Sequence, residues 1–117
     1  MLKRKKKHQE GLRSFEAKDY RSAYNLLIAF AEDGDSDAQA IIGNIYQLGL
    51  GGITVDEDRA VEWYSRAAAQ GNSIACNNLG TLASSRGDRE KAAKWYNLAR
   101  SQGFPHSPLS DIDNDPV

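Results

Sequence analysis

The sequence predicts an all-α protein, a short right-handed α-solenoid of about three helix–turn–helix repeats. The observations behind this are an internal repeat, apolar residues at helical spacing, and glycines after the predicted helices. Residues 60–71 read AVEWYSRAAAQG and residues 92–103 read AAKWYNLARSQG, with six of twelve positions identical. Residues 38–43 and 75–80 extend the match, so the period is 32 to 37 residues. Such a period is typical of stacked helical hairpins, because one hairpin cannot bury its apolar face alone.

Apolar residues follow the helical period in both halves of a repeat. In the middle repeat, Ala60, Trp63, Tyr64 and Ala67 stand at i, i+3, i+4 and i+7, and residues 38–46 have the same pattern. This spacing indicates amphipathic helices that pair within each repeat. We therefore expect three repeat units within a domain at 8–103, preceded by a basic arm and followed by a tail. The ranges are 1–7 for the arm, 8–34, 37–71 and 73–103 for the units, and 104–117 for the tail.

Start and stop signals support these helices. Gly34, Gly71 and Gly103 are expected to end the second helix of each unit, because glycine adopts a left-handed turn at low cost. Predicted N-terminal signals are single capping residues or capping boxes. They are Asp19, Asp88, the pair Ser36 and Gln39, and the pair Thr54 and Glu57.

Small and aromatic residues at matching positions predict how the units pack. Glycines and alanines would let helices of adjacent hairpins approach closely, and the two Trp-Tyr pairs would fill the wedge between units. Both tryptophans are therefore expected to be buried. These structural signature residues are Gly43, Tyr46, Ala60, Trp63, Tyr64, Ala67, Gly71, Gly80, Ala92, Trp95, Tyr96, Ala99 and Gly103.

The order of these residues resembles the Sel-one-like repeat (SLR), a relative of the tetratricopeptide repeat (TPR). The middle unit has G-x-x-Y, a glycine-rich connector, an aspartate, and A-x-x-W-Y-x-x-A-A-x-Q-G across residues 43–71. The third unit keeps the second-helix signature with a shorter connector. The first unit is TPR-like in Gly11, Tyr20 and Ala23 and lacks the Trp-Tyr pair. The resemblance implies an α-solenoid adaptor that scaffolds protein complexes; some bacterial relatives are partners or immunity proteins for toxins.

Both ends of the array depart from the repeat pattern. Lys7 and Glu10 stand where the first helix should be apolar, so that helix is expected to begin late or to act as a polar cap. Pro105 and Pro108 prevent a fourth unit from starting as a helix. The tail residues expected to cover the last helix are Phe104, Leu109 and Ile112. An uncovered edge would instead favour a weak homodimer over a monomer.

The first helices of such stacks line the concave face, where their non-core residues meet ligands. The candidate partner-binding residues are Asp37, Asn44, Gln47, Asn77, Thr81 and Ser84. This strip is rich in amides, which suits an extended peptide backbone as the ligand, and an ordinary solvated face is the alternative interpretation. It has no lysine or arginine, so we do not expect it to grip a C-terminal carboxylate.

Charge and composition limit the other classes of function. The net charge of −1 argues against extensive nucleic-acid binding, although residues 3–8 are basic. A basic-armed adaptor that contacts nucleic acid or an acidic partner through residues 3–8 is therefore the alternative function. Cys76 is the single cysteine, and neither a signal peptide nor a membrane span is visible, so a cytoplasmic protein is expected.

No catalytic or metal-binding pattern is visible in the chain. Cys76 has no histidine or basic residue beside it, and His8 and His106 lie at opposite ends. No nucleophile and base occur at a recognisable spacing. We expect a non-catalytic protein that needs no cofactor or metal and binds a protein or peptide.

Overall fold

Three helical hairpins make up residues 2–103, the part of the chain that the computed structural model describes. The helices are α1 (Leu2–Glu16), α2 (Tyr20–Glu32), α3 (Ser36–Leu48), α4 (Glu57–Ala69), α5 (Ser73–Ser85) and α6 (Arg89–Ser101). The pairs α1–α2, α3–α4 and α5–α6 form the hairpins, and α2–α3 and α4–α5 contacts join them. The all-α helical repeat solenoid predicted from the sequence is confirmed. The predicted docking of Phe104, Leu109 and Ile112 lies outside the described residues.

Helices α2 to α6 each begin after a side chain that accepts a hydrogen bond from the first turn. These N-caps are Asp19, Asp35, Asp56, Asn72 and Asp88. Asp19 and Asp88 are as predicted. The capping boxes predicted at Ser36 and Thr54 are wrong, because in both cases an aspartate directly before the helix accepts that bond, at 2.9 and 3.0 Å. The glycines predicted to end the second helices follow them with φ of 104°, 86° and 96°.

Gly43 and Gly80 allow a close helix approach within each hairpin, and the prediction that they do so between adjacent hairpins is wrong. A Cβ atom on Gly43 would lie 2.7 Å from the Tyr64 ring, and one on Gly80 would lie 2.7 Å from the Tyr96 ring. Gly11 faces a leucine of α2 in the same way. Each second helix therefore packs a large side chain directly on the bare backbone of the first helix.

The tyrosines of the two Trp-Tyr pairs are more deeply buried than the tryptophans. Tyr64 is 0% exposed and Tyr96 is buried as well, whereas Trp63 and Trp95 are half-buried at the margin of the core. The prediction of two buried tryptophans is therefore wrong. Successive helical residues point about 100° apart, so when Tyr64 points at α3, Trp63 is turned toward the surface. The Arg66 guanidinium lies 4.7 Å from the centre of the Trp63 ring and covers it.

The connector between α3 and α4 folds back onto the first hairpin. Gly49 ends α3 in the left-handed conformation, with φ of 65°. Gly51 also has φ of 65°, and a Cβ atom there would lie 2.6 Å from the backbone nitrogen of Arg21. The absence of a side chain at Gly51 thus allows the connector to rest on the start of α2. The longer connector of the middle unit is thus packed against the first hairpin.

The outer face of α1 is charged where the equivalent face of α3 is buried. Buried residues of α3 on this face are Ala38, Ile42 and Ile45. The α1 residues 32 positions earlier are Lys6, Glu10 and Arg13, and all are exposed. The prediction that the first helix begins late is wrong, since α1 begins at Leu2. Its first turn is held by Arg4, which pairs with Asp33 and lies 4.6 Å from the centre of the Phe30 ring.

Glutamine side chains connect the first two hairpins at the ends of their helices. The Gln70 amide donates to the Gly34 carbonyl at 2.8 Å and to Gln39 Oε1 at 3.0 Å. Gln39 is 3% exposed, and its own amide donates to the Ala31 carbonyl at 3.0 Å. A buried polar side chain is therefore satisfied only when both hairpins are in place, which ties the repeat-ending Q-G pair to stacking.

We predict that Gly80→Ala lowers the free energy of unfolding, because the new methyl group would meet the Tyr96 ring. Overpacking costs about 1–3 kcal/mol and outweighs the helical gain of about 0.5–1 kcal/mol from replacing glycine. In a Tyr96→Ala background the ring is gone, so the same change should become stabilising. Urea denaturation of the four proteins measures both effects. An equal loss in both backgrounds would show that the ring is not the cause.

We also predict that Gln70→Ala lowers the free energy of unfolding by about 1–2 kcal/mol, since Gln39 Oε1 would lose its donor in a buried site. Gln102→Ala is the matched control at the equivalent position of the third unit. Within the described part of the chain, Gln102 Oε1 accepts only from the weak thiol donor of Cys76, at 3.2 Å. Thermal and urea unfolding should show a smaller loss for Gln102→Ala, and the reverse order would contradict this explanation.

Candidate functional site: the groove along the first helices

A groove of about 450 Å³ crosses the first helices of all three hairpins. We call it the first-helix groove. Its large apolar side chains are Leu12 and Phe15 from α1, Ile41 from α3 and Ile74 from α5. Its polar side chains are Asp37, Asn44, Asn72 and Asn78. Because each hairpin contributes one helix, the groove forms only when the three hairpins stack.

The apolar part of the groove is accessible to a ligand. Ile74 is 54% exposed, so its side chain is open to solvent in the groove. Leu12, Phe15 and Ile41 are half-buried and pack against the main core. The core therefore supports this wall from behind and leaves its surface open.

The amides of the groove are held in place by neighbouring side chains. Asn72 donates to the Ser36 carbonyl at 3.4 Å and to Asp37 Oδ1 at 3.3 Å, while its own oxygen caps α5. Asn44 and Asn78 lie beside the Tyr64 hydroxyl. Their orientation is thus set before any ligand arrives, which reduces the entropy lost on binding.

The Tyr64 hydroxyl is the buried polar group behind the groove. It donates to Gln47 Oε1 at 2.6 Å. Burial raises the pKa of Tyr64 to about 12, and hydrogen bonds with Asn44 and Asn78 act in the opposite direction. The tyrosine remains neutral at physiological pH, so the groove gains a fixed hydrogen-bonding group and no charge.

The structure brings some of the sequence-predicted residues together and separates others. Asp37 and Asn44 line the groove, and Gln47 lies behind it on Tyr64. The other three predicted residues, all on α5, are Asn77, Thr81 and Ser84. None of these three is among the lining residues, and Asn78 takes the place expected for Asn77. One residue along a helix turns the side chain by about 100°, which moves Asn77 Oδ1 into a buried position.

The contribution of α1 to the first-helix groove was not predicted, although the sequence contains a signal for it. The glycines Gly11 and Gly43 set the alignment of the first two units, 32 residues apart. In this register Leu12 aligns with Asn44, and Phe15 aligns with Gln47. Extending the predicted binding positions into the first unit would have found both residues, but the weak repeat signature there gave no reason to do so.

Charge in the groove is low, and no metal-binding cluster lies in it. Of the described residues, Asp37 is the charged one that lines it, and neither lysine nor arginine does. Across the described part of the chain, no group of three or more histidine, cysteine, aspartate or glutamate side chains could hold a metal ion. Nor is any helix of residues 2–103 long and apolar enough to cross a bilayer. The arrangement can bind by apolar contact and amide hydrogen bonds.

Comparison with known proteins identifies the class. The Sel1 repeat family matches three times, at residues 8–35, 36–72 and 73–104, so the chain belongs to the Sel1 repeat family. Sel1 repeats are generally protein–protein interaction modules, and the family is generally non-catalytic. The chain is also similar to the crystal structure of a Sel1 repeat protein from Oxalobacter formigenes, with 32% identity and a TM-score of 0.74. That match covers 84% of this chain and 40% of the other. A search of the curated proteins finds no match.

We predict that folding stability falls between about pH 10 and pH 12, because the unfolded chain releases tyrosine protons that the folded protein retains. Tyr64 and Tyr24 both have a folded pKa raised to about 12, chiefly by burial. Against an unfolded pKa of about 10, Tyr64 alone accounts for a loss of about 2 kcal/mol by pH 12. Urea denaturation at increasing pH measures the slope. Tyr64→Phe should flatten it, and an unchanged slope would contradict the assignment.

Proposed function

We propose that this protein is a non-catalytic adaptor whose first-helix groove holds an extended segment of a partner protein. The observation that carries the proposal is the combination of an exposed apolar wall with pre-oriented amides along one groove. Its volume of about 450 Å³ falls in the range of ligand sites, roughly 300–1,000 Å³. The function agrees with the general role of Sel1 repeats in protein–protein interaction.

Apolar contact would supply most of the affinity. Ile74 stands at the α5 side of the groove, and Leu12 and Phe15 stand at the α1 side. A partner side chain placed between them would remove apolar surface from water on both sides, at about 25 cal/mol per Å². The preferred ligand therefore has at least one large aliphatic or aromatic residue.

Amide hydrogen bonds would fix the orientation and register of the partner. Side-chain amides both donate and accept, so Asn44 and Asn78 can pair with the N–H and C=O groups of an extended backbone. Asp37 is exposed at the rim and would favour a basic residue beside the apolar anchor. The proposed ligand is thus an extended segment with an apolar anchor and a neighbouring lysine or arginine.

The cysteine content indicates the cellular location of the adaptor. The single cysteine, Cys76, is buried and free in the structure. A chain of this kind suits a reducing compartment, where disulfides do not form, so we propose that the adaptor works in the cytoplasm.

We predict that Ile74→Arg weakens partner binding by roughly tenfold to a hundredfold, since it replaces the exposed anchor contact with a charge facing the expected basic residue. Capture from lysate of the source organism, quantified by mass spectrometry, compares this variant with wild type. Backbone hydrogen exchange of the captured complex should then show protection in α1, α3 and α5.

Val55→Arg is the matched control, because Val55 is also apolar, is 55% exposed, and is not among the residues that line the groove. It should retain the partner. Both substitutions are at exposed sites, so unchanged thermal unfolding would exclude misfolding as the cause of any loss. Equal capture by wild type and Ile74→Arg would overturn the groove as the binding site.

A further inference from the structure

A second groove, separate from the first-helix groove, lies on the outer side of the first hairpin. It has a volume of about 390 Å³ and runs between α1 and α2. Lys3, Arg4 and Lys7 form the α1 wall, and Leu26 and Ala29 belong to the α2 wall. Among residues 2–103, no residue of α3 to α6 lines it, and no carboxylate does either. One wall is therefore cationic, and the other is apolar apart from Asn25.

The cations at the start of α1 lower the stability of the helix that holds them. The first turn of α1 has no acidic residue, although helix N-termini favour negative charge. Lys3 and Lys7 are both exposed and stand at i and i+4, where like charges repel. Among the described residues, Asp33 neutralises Arg4, but no ion pair forms with either lysine. A locally unfavourable cluster of this kind is expected where charge serves binding.

The sequence contains a segment with the complementary pattern. Residues 109–115 read LSDIDND and lie outside the described part of the chain. In an extended segment Asp111, Asp113 and Asp115 would share one face, about 6.7 Å apart, and Ile112 would point to the other. Lys3 and Lys7 are separated by about 6 Å along the helix. An extended segment in the groove would thus present carboxylates to α1 and Ile112 to the apolar wall of α2.

The position of the groove favours a segment from a second molecule. Gly103, where the described residues end, follows α6 in the third hairpin, whereas the groove is on the outer side of the first. The second hairpin lies between them, because α2 packs on α3 and α4 packs on α5. A segment that binds its own chain would have to pass two hairpins to reach the groove. Residues 104–110, which would have to cover that route, span at most about 25 Å.

We propose that the cationic groove of one molecule binds the acidic segment 109–115 of a second molecule, which gives a head-to-tail association. The association does not depend on the first-helix groove or its ligand. It is held by exposed ion pairs and a single apolar contact, so it is weak and sensitive to salt.

The direct test uses a fluorescent peptide of residues 106–117. It is titrated into the full chain with Asp111, Asp113 and Asp115 changed to Asn, so that the chain's own segment does not compete. Anisotropy at about 50 mM salt should show binding that weakens at about 300 mM salt. A peptide with the same three Asn substitutions should not bind.

Lysine variants locate the binding site. Lys3→Gln with Lys7→Gln should weaken peptide binding by about tenfold. The same pair should leave the free energy of unfolding unchanged or raise it, because cations are removed from a helix N-terminus. A structural defect would lower both quantities. Lys91→Gln with Lys94→Gln removes the same charge from exposed positions on α6 and should leave peptide binding unchanged.

Several results would overturn the proposal. One is failure of the peptide to bind. Another is loss of peptide binding in the variant with Lys91→Gln and Lys94→Gln. A wild-type chain that stays monomeric in sedimentation at all concentrations, while the tail-neutralised chain binds peptide, would show that the segment occupies its own groove. Binding of a short DNA duplex more tightly than the peptide would show that the lysines serve nucleic acid. Concentration-dependent association of wild type, lost in the Lys3 and Lys7 variant, would support the proposal.

Discussion

The contact between a glycine of the first helix and a large side chain of the second underlies the rest of this structure. It sets how closely the two helices of each hairpin approach, because any Cβ atom at Gly43 or Gly80 would overlap a tyrosine ring. The same tyrosine in the middle hairpin has its hydroxyl against Gln47, beside two asparagines of the first-helix groove. One side chain therefore fixes the hairpin geometry and orients the polar part of the candidate site.

Stacking of the hairpins depends on polar contacts as well as on apolar burial. Gln39 is buried and is satisfied through the carbonyl of Ala31 and the amide of Gln70, which belong to two different hairpins. Hairpins stacked in a different register would leave the side-chain amide of Gln39 without a partner, at a cost of about 1–3 kcal/mol. The glutamine of the Q-G pair that ends the second repeat thus helps to fix the register of that repeat on the preceding one.

The first hairpin has a different outer surface from the other two. Charged residues at the α1 positions equivalent to buried Ala38, Ile42 and Ile45 make it a poor surface for packing another hairpin of the same kind. The cations beside them form one wall of the second groove. The charged outer face and the cationic groove wall therefore lie on the same helix. Substitution can separate them, because the face consists of Lys6, Glu10 and Arg13 and the wall of Lys3, Arg4 and Lys7.

The sequence alone determined the fold class, the three repeats and the family. These follow from local patterns, namely the helical spacing of apolar residues and the fixed order of small and aromatic residues in each repeat. Such patterns can be recognised without knowing which helices will pack together. Tertiary structure decided which faces meet. Trp63 is half-buried although it belongs to the signature, and Asn78, not Asn77, reaches the groove, because a turn of about 100° per residue separates neighbouring side chains. The sequence pattern does not tell which of two adjacent residues on a helix points at a neighbouring helix. Packing of the helices alone decides which side chain faces which neighbour.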